Sequence, residues 1–144
     1  MNKRFIGNPY LESNWQNGLL ISQKGNTYEI KGRYRIFDDE IQIVQDGVVK
    51  ALYPHSLQGV LLGSRIFISS KWEAPSGIDY SFFELLVDGE VKLLKKYQLD
   101  VRETKDNFLK IKDKTEVYFL FERRCSTTCQ FDKKWLDAHD EPTL

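Results

Sequence analysis

The sequence predicts an all-β protein, an antiparallel meander of about ten short strands forming a barrel, a sandwich or a curved sheet, with a short C-terminal helix. Two observations carry this prediction. A hairpin phrase occurs twice, as Glu40-Ile-Gln-Ile-Val-Gln-Asp-Gly-Val-Val-Lys-Ala-Leu52 and as Glu84-Leu-Leu-Val-Asp-Gly-Glu-Val-Lys-Leu-Leu94. In each, two apolar runs flank Asp-Gly, the strongest short-range signal for a tight antiparallel pair. In addition, turn signals recur at short spacing along the chain, at Lys24-Gly25-Asn26, Asp38-Asp39, Asp46-Gly47, Pro54, Gly63-Ser64, Pro75-Ser76-Gly77, Asp88-Gly89, Asp106-Asn107 and Asp113. No long helical pattern separates the runs between them, so no parallel crossover is required.

Three divisions follow. Residues 1–14 read as an N-terminal extension, 15–131 as a single β domain, and 132–144 as a short helix and tail. Within the domain the β-type runs are 17–23, 27–37, 40–45, 48–53, 57–62, 65–70, 79–87, 91–98, 108–112 and 115–122. The run 27–37 alternates cleanly, with Tyr28, Ile30, Tyr34 and Ile36 on one side and Glu29, Lys31, Arg33 and Arg35 on the other. Gly32 falls on the apolar side, where a missing side chain marks a bulge or a close backbone approach.

With a three-residue loop, Gln45-Asp46-Gly47, the first hairpin pairs Ile43 with Val49, Ile41 with Ala51 and Gln42 with Lys50. That gives one dry face and one wet face. The same loop length in the second hairpin pairs Leu85 with Leu93 and Val87 with Val91, leaving Leu86 and Leu94 on the opposite face. Apolar residues on both faces identify a central or covered strand pair. The stretch 69–79 is expected to be the longest irregular segment. At the end, Asp132 is a candidate N-cap for about two helical turns that pack Trp135 and Leu136.

Three stretches taken together, Gly7-Asn-Pro-Tyr-Leu11, Arg33-Tyr-Arg-Ile-Phe-Asp-Asp-Glu-Ile41 and Phe82-Phe-Glu-Leu-Leu-Val-Asp-Gly-Glu-Val-Lys-Leu-Leu-Lys-Lys-Tyr97, resemble a family of uncharacterised β-rich bacterial proteins that are usually exported. The resemblance spans roughly residues 7–121, and its third stretch is the most specific. It implies a periplasmic or secreted setting and no established activity, and it offers no catalytic residue to carry over. The chain departs from the pattern after Arg124. No signal peptide is visible behind the basic opening of the sequence.

Composition narrows the functional classes. In 144 residues, Lys plus Arg and Asp plus Glu are equal at 21 each, so no general field draws in nucleic acid or anionic lipid. No run approaches the ~18 apolar residues that cross a bilayer as a helix. Aromatic residues make up 13% and are spread along the whole chain, as in β cores.

Few groups suggest chemistry. Cys125-Ser-Thr-Thr-Cys129 has the wrong spacing for a redox C-x-x-C motif or for half of a four-cysteine zinc site. In an oxidising compartment the two cysteines would close a small-loop disulfide, and in a reducing one they stay free thiols. Asp38-Asp39-Glu40 lacks the ligand spacing of a calcium loop and reads as a polar turn, with Asp38 bonding its own backbone. His55, after Pro54, reads as an exposed turn residue.

With no nucleophile, metalloprotease or phosphate-loop motif, we expect no catalytic residues, no metal and no cofactor. The expected function is non-enzymatic binding or assembly in a bacterial envelope, with an unknown protein or small-molecule partner. The alternative is a carrier that holds a small apolar ligand in a barrel cavity. Candidate contact residues are Trp72 and Tyr80, around the 69–79 segment, and Trp15. Trp72 either contacts a partner or folds back onto the core, and Trp15 before the first strand suits the plugging of an open end.

Overall fold

The bends set where strands begin and end. The computed structural model describes residues 4–122 and 129–131. It places β1 at Arg4–Ile6, β2 at Gln16–Ser22, β3 at Thr27–Arg35, β4 at Glu40–Gln45 and β5 at Val48–Leu52. A 3-10 turn at Pro54–Ser56 follows. Then come β6 (Leu57–Leu62), β7 (Arg65–Ala74), β8 (Gly77–Val87), β9 (Val91–Glu103), β10 (Phe108–Glu122) and β11 (Cys129–Phe131). Asp46 and Gly47 both lie at positive φ, 53° and 75°, as a two-residue hairpin turn matched to strand twist requires. Asp39 and Asn107 supply the same conformation at the β3–β4 and β9–β10 bends.

The strands form one open sheet in the order β1-β10-β9-β8-β7-β6-β2-β3-β4-β5, with β11 also on β10. The protein is all-β, but it is not a simple meander. Two antiparallel meanders, β2–β5 and β6–β10, are joined by pairing of β2 with β6, so the chain jumps from the β5 edge back to the middle of the sheet. One pairing is parallel, Arg4–Ile6 against Phe108–Lys110. The sheet is therefore mixed, and the barrel and the purely antiparallel arrangement both give way to an open sheet. The expected C-terminal helix, with Trp135 and Leu136, lies outside the described residues.

Several local expectations are corrected. The first hairpin has a two-residue loop, so Ile43 pairs with Lys50 and Ile41 with Leu52, one position from the expected register. In the second hairpin Leu86 is an extra, bulged residue, and Leu85 pairs with Leu94. The 69–79 stretch is not a loop: β7 and β8 run through it and turn tightly at Pro75-Ser76, with Ala74 opposite Gly77. The runs 108–112 and 115–122 are one strand, bulged at Lys112.

Alternation sends the two sides of the sheet into two apolar clusters. One contains Tyr34, Ile41, Ile43, Val60, Leu62, Phe67, Phe82 and Tyr97. Tyr34 on β3 and Phe82 on β8 are four strands apart in the sheet, ~19 Å if it were flat. Their ring centroids are 6.1 Å apart, so the sheet is coiled with this face inside. Four aromatic rings, of Tyr34, Phe67, Phe82 and Tyr97, pack there among aliphatic side chains. On the outer face Phe83, Leu94 and Phe119 form a second cluster with Ile68, Trp72, Leu85 and Val117. The expectation that the second hairpin carries apolar residues on both faces holds, because β8 sends Phe82 inward and Phe83 outward. Gly32 marks a close approach, since a Cβ there would lie 3.0 Å from the Gln42 carbonyl oxygen and 3.1 Å from Leu62.

The sheet also forks. β8 pairs with β9 only over Glu84–Val87, whereas β9 continues along β10 to Glu103 and β8 along β7 back to Gly77. Below the fork, backbone N–H groups of β8 turn to carboxylates instead of a strand. Tyr80 N–H donates to Asp79 at 2.8 Å and Phe82 N–H to Asp39 at 3.3 Å.

Candidate functional site

Among the described residues, three clusters of polar side chains stand out, and in each the members bond mainly to one another. The first involves the arginines of β3. Residues 9–11 pair edge to edge with the end of β3, Tyr10 opposite Arg35, with Leu11 N–H bonded to the Tyr34 carbonyl and Ile36 N–H to that of Pro9. The Arg33 guanidinium is held between the Tyr10 ring, 4.0 Å away, and the Trp15 ring, 4.2 Å away. It also donates to Gln42 at 2.9 Å, to the Tyr10 hydroxyl at 2.9 Å and to the Ser13 carbonyl at 3.0 Å. Trp15 thus clamps the N-terminal segment to the sheet and does not plug an open end. Cation–π contacts of this kind contribute ~0.5–2 kcal/mol each. Trp15→Ala is expected to lower stability by about 1–2 kcal/mol in urea unfolding, and Trp15→Phe by less than half as much.

The second place is the fork. The β3–β4 bend inserts Asp39, whose carboxylate accepts hydrogen bonds from the Tyr34 hydroxyl at 2.7 Å, the Ser81 hydroxyl and the Phe82 N–H. Lys96 Nζ donates to Ser81 and lies 3.6 Å from Asp39. Asp38 instead pairs with Arg35 at 3.0 Å, so the acidic turn is bound to side chains and not to its own backbone. Burial lowers the Lys96 pKa from its usual value, and Asp39 opposes that shift. Ser81 beside a lysine has the composition of a nucleophile and its base. Here, however, the hydroxyl donates to a carboxylate and is only 2% exposed.

In the third place, on the inner face, Arg65 donates to Glu84 and to the Tyr97 hydroxyl, both at 3.1 Å, and Tyr97 donates to Glu84 at 2.5 Å. Burial, then the bond to Glu84, pushes the Tyr97 pKa far up.

The remaining feature is apolar and open. On the outer face Leu19 pairs with Leu61 and Leu61 with Ile66, while Ile21 pairs with Gly59 and Gly59 with Ile68. Gly59 leaves a gap between these side chains, and any Cβ there would meet the Phe67 carbonyl oxygen at 2.7 Å. The result is a groove of about 330 Å³ lined by Leu19, Ile21, Leu61, Ile66 and Ile68, with Thr27 and Gln58 at one end. It has no ionisable lining residue, and Leu19, Ile21 and Ile66 are 39%, 37% and 46% exposed.

The predicted contact residues do not form one site. Trp72 lies on β7 and packs edge-on against Phe83 and Phe119 in the outer cluster. Tyr80 is exposed on the β7–β8 hairpin, paired with Lys71 and so on the opposite face from Trp72. Trp15 belongs to the arginine clamp. Cys129 is in β11, but Cys125 and any bridge between them lie outside the described residues. His55 is exposed in the 3-10 turn. Among the described residues no cluster of His, Cys, Asp or Glu is arranged to hold a metal, and no helix is long and apolar enough to cross a membrane.

The groove went unrecognised in the sequence, although Val60-Leu61-Leu62 and Ile66-Phe67-Ile68 are apolar without alternation. That pattern signals a strand with two apolar faces. Comparison with protein-family models, curated proteins and solved structures gives no match to this chain.

Proposed function

We propose that this protein is a non-enzymatic binding domain of the bacterial envelope, working through the outer apolar groove on β2, β6 and β7. The observation that carries the reading is exposure. Three large aliphatic side chains converge on one concave strip of a protein whose polar clusters are internally satisfied. Contiguous exposed apolar surface of this kind marks interaction sites, and about 330 Å³ lies at the small end of ligand pockets. The envelope setting rests on the family resemblance alone. The open sheet and its buried inner cluster favour binding on the outside over carriage within a barrel.

The neutral fluorescent probe N-phenylnaphthylamine tests the reading. It is expected to bind the native protein saturably, and Ile66→Asp is expected to weaken binding at least tenfold. Because Ile66 is half exposed but sits on an interior strand that Asp disfavours, the same substitution should cost about 1–2 kcal/mol, and binding is compared where circular dichroism shows both proteins folded. Equal binding by the variant would refute the groove as the site.

A further inference from the structure

We infer that the side chains of Lys96 and Asp39 condense into an isopeptide bond, which ties the β3–β4 bend to β9 inside the fork. The two carboxylate oxygens of Asp39 have different surroundings. Oδ1 accepts from the Tyr34 hydroxyl at 2.7 Å and from the Phe82 N–H at 3.3 Å. Two fixed donors on one oxygen stabilise the oxyanion of a tetrahedral intermediate at the carboxyl carbon. Oδ2 faces Ser81 and Lys96, with Nζ 3.6 Å away, so the carboxyl carbon is at most one C–O bond length further. Nζ donates to Ser81 and Ser81 donates to Oδ2, a continuous proton path from the amine to the oxygen that has to leave.

The step balances within these groups. Through Ser81, one proton passes from the Lys96 ammonium to Oδ2, leaving a neutral amine and a carboxylic acid. The Nζ lone pair attacks Cγ, and the Nζ–Cγ bond forms while charge collects on Oδ1. A second proton follows the same path, the Cγ–Oδ2 bond breaks, and Oδ2 departs as water. Lys96 is 7% exposed with Trp72 and Phe83 beside its amine, and burial pushes its pKa down while Asp39 and Asp79 pull the other way. Burial thus favours the uncharged, nucleophilic amine. It closes Ser81 to external substrates, but two side chains of one chain need no entrance, and groups held together react at effective molarities of roughly 10⁵ M or more. In the product Oδ1 keeps both donors and the new N–H keeps Ser81. The ion pair and its pH behaviour belong to the open form, before condensation.

Intact mass spectrometry of the full chain, kept folded at neutral pH and then denatured, is the test. The native protein is expected to be about 18 Da, one water, lighter than its sequence. Trypsin should no longer cut after residue 96, and the peptides carrying residues 39 and 96 should emerge joined. Asp39→Asn suits the left-handed backbone there, at φ 51°, and should lose one ammonia, about 17 Da, instead. Asp39→Ala and Lys96→Arg should keep their full mass. In protein followed from cell-free synthesis, Ser81→Ala should close at least tenfold more slowly than the native chain. A native protein at its full sequence mass overturns the inference, whatever the variants do. So does a lost water that maps to Asp46-Gly47 or Asp88-Gly89, where succinimide formation gives the same mass.

Discussion

Lys96→Ala is expected to destabilise the protein by about 2–3 kcal/mol, less than for a fully buried ion pair because the Asp39 side chain is 27% exposed. Lys96 is 7% exposed, its ammonium group bonds Ser81 and pairs with Asp39, and Nζ lies 5.3 and 5.6 Å from the ring centroids of Trp72 and Phe83. Truncation would therefore leave Asp39 without its cation and open a space in the outer cluster. Lys96→Met separates the two effects, since it keeps the stem and loses the charge. Paired with Asp39→Asn, it should cost clearly less than the sum of the single changes, because the two residues act on the same pair. Chemical denaturation of the four proteins checks this. Additive losses would mean that the fork is held by packing and not by the ion pair.

Alkaline unfolding should be steep. Burial and Asp39 raise the Tyr34 pKa well above its usual value, and burial and Glu84 do the same for Tyr97. Tyrosine in the unfolded chain ionises near pH 10. Above that pH the folded state keeps protons that the unfolded state has released, so stability falls by up to ~1.4 kcal/mol per pH unit for each tyrosine until each ionises in place. Below pH 10 these two groups contribute no slope. Lys96 acts in the opposite sense. Its lowered pKa means the unfolded chain binds the extra proton, so its contribution rises with pH until about 10.5 and then stays level. Urea midpoints measured from about pH 9 to 12 should therefore hold or rise slightly before dropping. Tyr97→Phe and Tyr34→Phe should each shallow the drop, and each should lower stability at neutral pH through loss of its bond to Glu84 or to Asp39.

Local grammar was the legible part of this sequence. Asp-Gly at 46–47, Gly63-Ser64 and Pro75-Ser76 each mark a tight bend, and the even aromatic distribution signals a β core. Register was less legible, because a two-residue and a three-residue loop fit the same Asp-Gly phrase. The left-handed conformation at Asp46 as well as Gly47 decided it. The second copy of the phrase then behaves differently, since its strand bulges at Leu86 where the fork begins. The residues around Trp72 looked irregular because Ser, Lys and Pro dominate them, yet pairing along β7 and β8 overrides that composition.

The distant partnerships were hidden altogether. Arg33 and Arg35 read only as the charged side of an alternating strand, and nothing local announces that Tyr10 and Trp15 stack on Arg33. The groove was hidden for a related reason. Its rim comes from β2, β6 and β7, and the pairing of β2 with β6 joins segments separated by two hairpins.

The β7–β8 hairpin presents apolar side chains, Ile78 at 69% and Tyr80 at 43% exposure, beside a stretch of backbone that no strand among the described residues covers. Such a combination would ordinarily recruit a second molecule end on end and seed fibres. With the amides of Tyr80 and Phe82 already occupied by Asp79 and Asp39, an incoming chain finds two rungs of the ladder filled by negative charge. Growth of the sheet along this stretch of β8 would first have to displace those two carboxylates.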